Sequence, residues 1–197
     1  MAAALPVARF SPELLLRAQG LGISTGTGTG TGIGMKAAIF DVDGVLTDGR
    51  LYIGEHGETV KAFNTLDGHG LKLLKQGGIE PLVITGRDSA AVRRRVADLG
   101  LSHAVYGVHD KCAAANALLA ALGLAWADVA AIGDDWPDLP VLRRCAVAVA
   151  PANAHAEVKA IAHHVTVAAG GHGAAREFCD LLLVASGRYA QLLESYV

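Results

Sequence analysis

KAAIFDVDGVLTDG, residues Lys36–Gly49, is the stretch that decides the fold. Its apolar run, Ala37–Phe40, has the length and branching of a buried parallel strand. Residues two apart in an extended chain point to the same side, so Asp41 and Asp43 are placed to face one small ligand, while Gly44 lets the backbone turn away. Two carboxylates this close repel each other unless a cation or a shared proton offsets the charge. The stretch therefore indicates a hard metal ion, an acid–base pair, or both.

The position of this carboxylate pair is as informative as its composition. Open α/β sheets bind their ligands at the C-terminal ends of the strands, where Asp41 and Asp43 are predicted to lie. The competing interpretation is a turn without function, because Asp and Gly are common turn residues. On Asp-x-Asp-Gly alone, both interpretations stay open.

Composition limits the remaining possibilities. The chain has 197 residues, of which 52% are hydrophobic and 18% charged, which suits one domain with a sizeable core. A formal charge of −2 gives no electrostatic footprint for nucleic acid. We expect neither a transmembrane helix nor a secretory signal. The cysteines have no metal-ligand spacing and an odd number, which fits a reducing cytoplasm; they are Cys112, Cys145 and Cys179.

Residues 1–34 differ in character from residues 35–197. Ser11 or Pro12 opens a short predicted helix that ends at Gly20. The alternating Thr/Gly tract that follows has no apolar periodicity, so we interpret it as a flexible linker. It is not a phosphate-binding loop, because no Lys-Ser or Lys-Thr follows the glycines at the required spacing.

Strand and helix patterns alternate through the rest of the chain. After Gly49, an alternating segment with a turn at Gly54–Gly57 predicts a β-hairpin that forms a flap over the site or packs on another subunit. The later strands are predicted at Pro81–Thr85, His103–Val108, Val129–Gly133, Ala146–Ala150 and His164–Ala168. Helices are predicted at Ser89–Leu99, Lys111–Leu122, Pro137–Arg143, Ala154–Ala162 and Ala174–Ala185. This succession predicts a Rossmann-like α/β fold, a parallel sheet with helices on both faces.

Two further strand ends carry groups suited to phosphate. Thr85, Gly86 and Arg87 offer a hydroxyl and backbone amides near a helix start, although Thr85 as a simple helix cap is the alternative. Lys111 opens a helix, where the helix dipole disfavours a cation, so an anionic partner is indicated. A solvated lysine is the alternative there.

A second acidic cluster follows the strand that ends at Gly133. Asp134, Asp135 and Asp138 would repel one another without a cation. In this order along the chain, Asp-x-Asp, Thr, Lys and Gly-Asp-Asp-x-x-Asp resemble the haloacid dehalogenase-like phosphatase superfamily. The resemblance covers about residues 36 to 185.

The resemblance implies a role for each residue of the pattern. Asp41 is implied to be the nucleophile and Asp43 the general acid and base, while Thr85, Gly86 and Lys111 bind phosphate. Asp134 is implied to bind Mg²⁺ together with Asp41 and the backbone carbonyl of Asp43. Asp135 and Asp138 are either outer ligands or orienters of Lys111. The intervals between these motifs are too short for a separate cap domain, so we expect a capless phosphatase domain.

Longer stretches resemble one family of sugar-acid phosphatases. Five stretches are similar to the phosphatases of 3-deoxy-D-manno-octulosonate 8-phosphate, a lipopolysaccharide precursor. They are DVDGVLTDGRLYIGEHGE, KAFNTLDGHGLKLL, TGRDSAAVRRR, GDDWPDLPVL and GGHGAAREFCDLLL. The resemblance implies a homotetramer with a central barrel of hairpins and a C-terminal tail that reaches a neighbour's site. It also implies substrate contacts from Gly170, Gly171, Gly173, Arg176, Arg87 and Lys61. An ordinary exposed residue is the alternative for Arg176.

Three other functions remain open at this point. A related phosphatase acting on a nine-carbon, sialic-acid-type sugar-acid phosphate would share these motifs. A non-catalytic oligomerisation module would share the fold, although the retained Asp41, Asp43, Thr85, Lys111 and Asp134 favour an enzyme. A receiver domain also uses acidic residues and a lysine, but its phosphoryl acceptor follows a middle strand, where this chain has Tyr106, Gly107 and Val108.

Overall fold

A six-stranded parallel sheet forms the centre of the protein in a computed structural model that describes residues 9–20 and 34–197. The strands are β1 (Ala37–Phe40), β2 (Tyr52–Gly54), β3 (Gly57–Val60), β4 (Glu80–Ile84), β5 (His103–Val105), β6 (Val129–Ile132), β7 (Val147–Ala150) and β8 (His164–Val165). The order in the main sheet is β5-β4-β1-β6-β7-β8, with β1 between β4 and β6. The strand that carries the carboxylate pair is therefore central, and the predicted α/β fold is confirmed.

Helices cover both faces of the sheet. They are α1 (Pro12–Ala18), α2 (Thr65–Gln76), α3 (Ala90–Asp98), α4 (Lys111–Leu122), α5 (Leu139–Leu142), α6 (Ala156–Ile161), α7 (Ala174–Ala185) and α8 (Tyr189–Glu194). None of the helices in the described ranges has both the length and the apolar composition that a membrane crossing requires.

The alternation of side chains along β1 explains the two-faced core. Ala38 and Phe40 belong to the apolar cluster formed with α1, α2, α3 and α7. Ala37 and Ile39 belong to the cluster formed with α4, α5 and α6. All four side chains are buried, because successive strand residues point to opposite faces and each face is covered.

The N-terminal helix packs on this core. Ser11 caps α1 by accepting a hydrogen bond from the backbone N–H of Leu14 at 3.2 Å, and the helix predicted from Ser11 or Pro12 is present. Phe10, Leu14 and Ala18 are buried in the cluster that includes α7. The Thr/Gly tract lies almost entirely outside the described residues, and the division of the chain after residue 34 stays a prediction.

The predicted hairpin forms a separate two-stranded antiparallel sheet. Its turn lies between Gly54 and Gly57, and Gly57 has a positive φ of 108°. Most hairpin side chains are exposed, in contrast to β1. The hairpin is present as predicted, while its action as a flap stays a prediction.

Two strands are shorter than the apolar pattern predicts. β5 ends at Val105 because Gly107 turns the chain with a φ of 67°. β8 keeps only His164 and Val165, and Thr166 then donates its hydroxyl to the carbonyl of Ala168.

Candidate active site

The carboxyl ends of β1, β4 and β6 meet at one edge of the sheet. Asp41 directly follows β1, Thr85 directly follows β4, and Asp134 follows β6 after one glycine. A cavity of about 420 Å³ opens there. The predicted site residues that line it are Asp41, Asp43, Thr85, Gly86, Arg87, Lys111, Asp134, Asp135 and Asp138. Topology therefore brings together residues that are far apart in sequence.

Lys111 is the buried cation of this edge. Its Nζ donates to Oδ1 of Asp41 at 2.5 Å and to Oδ1 of Asp138 at 2.7 Å. Burial alone would lower the pKa of Lys111, but the two facing carboxylates outweigh it and raise the pKa above its usual value. Lys111 is 7% exposed, so the alternative of a solvated lysine is wrong.

Asp138 connects this lysine to the loop that follows β6. Its Oδ2 accepts the backbone N–H of Asp134 at 3.1 Å and that of Asp135 at 3.3 Å, while Oδ1 accepts from Lys111. A Cβ on Gly133 would lie 2.5 Å from the Cβ of Asp138, so only glycine fits there. Asp138 thus has the position of an orienter of Lys111, one of the two predicted options.

The carboxylates form an oxygen-lined site for a cation. One carboxylate oxygen from each of Asp41, Asp134 and Asp138 lies within 4.8 Å of the others. Burial, followed by the charge of Asp138, raises the pKa of Asp41 well above its usual value. The same two causes raise the pKa of Asp134 to about 7. A hard divalent cation with oxygen ligands, such as Mg²⁺, fits this donor set and offsets its repulsion.

Gly44 makes room for this acidic cluster. A Cβ on Gly44 would lie 2.0 Å from Oδ2 of Asp134, and the residue has a positive φ of 92°. Both features require glycine. The Asp-x-Asp-Gly pattern therefore encodes the contact with the second acidic motif, and the interpretation as a turn without function is not supported.

Thr85 presents a buried hydroxyl to the cavity. It is 1% exposed, and its Oγ1 accepts the backbone N–H of Arg87 at 3.3 Å. Helix α3 begins at Ala90 with Ser89 as its N-cap residue, so Thr85 is not a helix cap. Arg87 itself is exposed at the cavity.

Lys61 contacts two carboxylates of the protein, and its contact with substrate stays a prediction. Its ammonium donates to Oδ1 of Asp43 and lies 2.7 Å from Oε1 of Glu58. The described residues that line the cavity do not include Lys61. Burial would lower the pKa of Lys61, but contact with these two carboxylates raises it. Sequence analysis missed Glu58, whose only signal is a carboxylate at a hairpin position.

Gly170 and Gly171 support the carboxylate loop. A Cβ on Gly170 would lie 1.8 Å from the carbonyl oxygen of Gly44, and one on Gly171 would lie 2.5 Å from the backbone nitrogen of Asp48. Asn153 joins the two loops by donating to the carbonyl of Gly44 at 3.1 Å and accepting the N–H of Gly170 at 2.6 Å. Sequence analysis missed Asn153, although a polar residue after β7 is a signal of the same kind as Thr85.

Thr47 is a second residue that sequence analysis missed. It is 2% exposed, and its Oγ1 accepts the N–H of Gly44 at 3.3 Å and that of Gly49 at 3.2 Å. It also donates to the carbonyl of Val42 at 3.3 Å. A hydroxyl between two glycines in DGVLTDG is the signal that identifies it.

Gly173 and Arg176 lie at the start of α7. The side chain of Asp67 accepts the backbone N–H of Gly173 at 3.3 Å and that of Arg176 at 2.8 Å. Nε of Arg176 donates to Asp180 at 2.8 Å, so Arg176 is not an ordinary exposed residue. The described cavity lining does not include Gly171, Gly173 or Arg176, and their contact with substrate stays a prediction.

The fold and this edge define the class of protein. A family model described as haloacid dehalogenase-like hydrolase matches residues 106–178. The chain is also 45% identical over 154 residues to 3-deoxy-D-manno-octulosonate 8-phosphate phosphatase KdsC of Escherichia coli (strain K12), with 78% of this chain and 82% of that protein covered. Within the haloacid dehalogenase-like hydrolases, the chain belongs to the 3-deoxy-D-manno-octulosonate 8-phosphate phosphatase family.

Solved structures agree with this assignment. The phosphatase of the same name from Yersinia pestis is 38% identical with a TM-score of 0.82, and the match covers 92% of this chain and 90% of that one. The Moraxella catarrhalis phosphatase, solved in complex with a magnesium ion, a phosphate ion and a KDO molecule, is 34% identical with a TM-score of 0.85. That match covers 95% of this chain and 100% of the other.

Proposed function

We propose that this chain hydrolyses 3-deoxy-D-manno-octulosonate 8-phosphate to the free sugar acid and inorganic phosphate, with Mg²⁺ as cofactor. The observation that carries the proposal is the meeting of Asp41, Lys111 and Asp134 at one cavity, with carboxylate oxygens of Asp41 and Asp134 within 4.8 Å. The relatives named for this reaction, one of them solved with magnesium, phosphate and KDO, support the substrate and the metal.

The first step transfers the phosphoryl group to the enzyme. A carboxylate oxygen of Asp41 forms a bond to phosphorus as the ester P–O bond breaks, and Asp43 gives its proton to the departing alkoxide. Thr85, Gly86 and Lys111 bind the phosphate oxygens, and Lys111 stays charged because its pKa is raised. The products of this step are the free sugar acid and an aspartyl-phosphate.

The second step restores the enzyme. Asp43, now a carboxylate, takes a proton from water as the water oxygen bonds to phosphorus, and the bond between phosphorus and Asp41 breaks. Asp41, Asp134 and the backbone carbonyl of Asp43 would hold the magnesium ion, which would supply positive charge against the repulsion of two anions. We propose that Asp135 is an outer ligand of the magnesium site and that Asp138 orients Lys111.

We propose that residues at the cavity rim, and residues that contact substrate once subunits assemble, select the substrate. Arg87 is exposed at the cavity and is proposed to bind the sugar-acid carboxylate. Gly171, Gly173 and Arg176 are proposed to contact substrate once subunits assemble. We propose a homotetramer in which the hairpins lie between subunits. The exposed apolar side chains of the hairpin support such a contact; they are Leu51, Tyr52, Ile53 and Val60. Light scattering coupled to size-exclusion chromatography measures the number of subunits directly.

We further propose a cytoplasmic location and a phosphatase domain at residues 35–197. The three cysteines, which all lie within the described ranges, are free and buried, as expected of a reducing compartment. The Thr/Gly tract is proposed to connect α1 to the phosphatase domain. Neither the proposed phosphatase activity nor the proposed linker needs a macromolecular partner other than further copies of the chain.

A phosphate-release assay tests the proposed reaction. The panel contains 3-deoxy-D-manno-octulosonate 8-phosphate, a nine-carbon sugar-acid phosphate and simple sugar phosphates, each with Mg²⁺ and with a chelator. We expect the eight-carbon substrate to be preferred and chelation to abolish turnover, while Asp41→Asn is inactive with an unchanged subunit number. Preference for the nine-carbon substrate would reassign the substrate, and no release from any of them would indicate a non-catalytic module.

A further inference from the structure

The contact between Lys61 and Asp43 joins the hairpin to the carboxylate pair. Lys61 directly follows β3, and its side chain is 1% exposed. Its ammonium lies between Oδ1 of Asp43 and Oε1 of Glu58, a residue of β3. We call these three residues the Lys61 bridge. The bridge connects a peripheral two-stranded sheet to the loop that follows the central strand.

The burial pattern of the hairpin singles out this contact. The side chains of β2 are exposed, and in β3 only Glu58 is partly buried. Burial opposes ionisation of Glu58, but the neighbouring Lys61, followed by Ser89 and Arg87, lowers its pKa. Buried ion pairs cost desolvation energy and contribute little net stability. The bridge is therefore better explained by the geometry it imposes than by the stability it adds.

The bridge determines which oxygen of Asp43 is available. Oδ1 is held by Lys61, so Oδ2 is the oxygen left to exchange a proton in the cavity. Asp43 lines that cavity, whereas the described lining residues do not include Lys61 or Glu58. Resting on the phosphatase function proposed above, we infer that Lys61 and Glu58 are positioning residues that aim Asp43 at the leaving-group oxygen.

This role differs measurably from that of a substrate ligand. A general acid matters most when the leaving group is a poor one, since a nitrophenolate departs without protonation while an alkoxide does not. The ratio kcat/KM includes only the steps up to the first irreversible one, here formation of the aspartyl-phosphate. Loss of a positioning residue therefore lowers kcat/KM for alkyl phosphates more than for p-nitrophenyl phosphate.

The test compares Lys61→Met, Lys61→Arg and Glu58→Gln across leaving groups. The substrates are p-nitrophenyl phosphate, phenyl phosphate, an alkyl phosphate and the sugar-acid phosphate, all with saturating Mg²⁺. We expect Lys61→Met to lose about 100-fold in kcat/KM on the two alkyl esters and little on p-nitrophenyl phosphate. Glu58→Gln shifts in the same direction by less, and Lys61→Arg recovers most of the loss. Glu55→Gln, an exposed carboxylate in the same hairpin, is the control and leaves every ratio unchanged.

Two results would overturn the inference while leaving the phosphatase function intact. An equal loss on all four substrates would show a general structural defect. A raised KM for the sugar-acid phosphate and weaker inhibition by the free sugar acid, with no leaving-group dependence, would make Lys61 a substrate ligand. If Lys61→Met does not fold, as judged by thermal unfolding, Glu58→Gln decides between these results. A wild-type enzyme that releases no phosphate would instead overturn the proposed function together with the inference.

Discussion

Two buried lysines hold the two carboxylates proposed for catalysis, and they do so from different parts of the molecule. Lys111 binds Asp41 and Asp138 from the start of α4, in contact with the main sheet. Lys61 binds Asp43 from the end of a hairpin whose other side chains are mostly exposed. The proposed nucleophile is therefore fixed by the core of the domain, whereas the proposed acid and base is fixed by a peripheral element that is marginal on its own. The first lysine also lines the cavity, and the second does not.

The largest effect is expected for Lys111, the lysine that is held by the core of the domain. Lys111→Met removes the cation beside Asp41, and we expect kcat/KM to fall by about 1,000-fold. Because Lys111 is proposed to stabilise charge on the phosphoryl group itself, the loss should be similar for p-nitrophenyl phosphate and for the sugar-acid phosphate. Steady-state kinetics on both substrates measure it. A loss confined to the alkyl ester would make the two lysines equivalent and break the comparison.

A smaller effect is expected from substitution of Gly44, the glycine that lies against Asp134 of the second acidic motif. Gly44→Ala places a Cβ 2.0 Å from Oδ2 of Asp134, so we expect the affinity for Mg²⁺ to fall by about 100-fold. Isothermal titration with Mg²⁺ measures the affinity without relying on activity. The reason is steric displacement of a ligand and not backbone strain alone.

Gly57→Ala in the hairpin turn is the matched control. Gly57 has a φ of 108°, similar to the 92° of Gly44, but no atom lies within 4 Å of its added Cβ. Strain alone should cost about 1 kcal/mol of unfolding free energy and leave the Mg²⁺ affinity unchanged. Equal loss of affinity in both variants would remove the contact between Gly44 and Asp134 from the explanation.

The smallest expected effect compares two threonines. Thr47→Val leaves the N–H groups of Gly44 and Gly49 without their buried acceptor, so we expect the unfolding free energy to fall by about 1–3 kcal/mol. Thr59→Val removes an exposed hydrogen bond to Tyr52 in the hairpin and should change stability by no more than about 0.5 kcal/mol. Urea unfolding of both variants measures the difference. Equal changes would mean that the loop after β1 is no more constrained than the hairpin.

Local patterns along the chain were sufficient to predict the sheet and the residues that meet at its carboxyl edge. The apolar run Ala37–Phe40 and the later apolar runs are each followed by a polar residue, and parallel strands bring such residues to one edge. Asp41, Thr85, Lys111 and Asp134 therefore meet as predicted. The predicted strand ends were less accurate, because the turn at Gly107 and the hydroxyl contact of Thr166 shorten β5 and β8.

The supporting contacts could not be predicted from the sequence. Asn153 and Gly44 are 109 residues apart, and their hydrogen bond depends on how two loops approach each other. The resemblance implies a substrate contact for Lys61, but the sequence does not indicate that its ammonium also contacts the carboxylates of Asp43 and Glu58. Composition and spacing identify such a charged group, but they do not identify which partner it has.

The most direct test of the central claim is to locate the phosphoryl group during turnover. Asp43→Asn lacks the base that hydrolyses the intermediate, so it is mixed with p-nitrophenyl phosphate, whose leaving group departs without a proton from Asp43, and with Mg²⁺. The mixture is then quenched in acid, digested and analysed by mass spectrometry. Our account predicts one phosphoryl group on the peptide that contains Asp41, and none with Asp41→Asn or with a chelator present. A single turnover that releases phosphate while Asp41 never carries the phosphoryl group would contradict it.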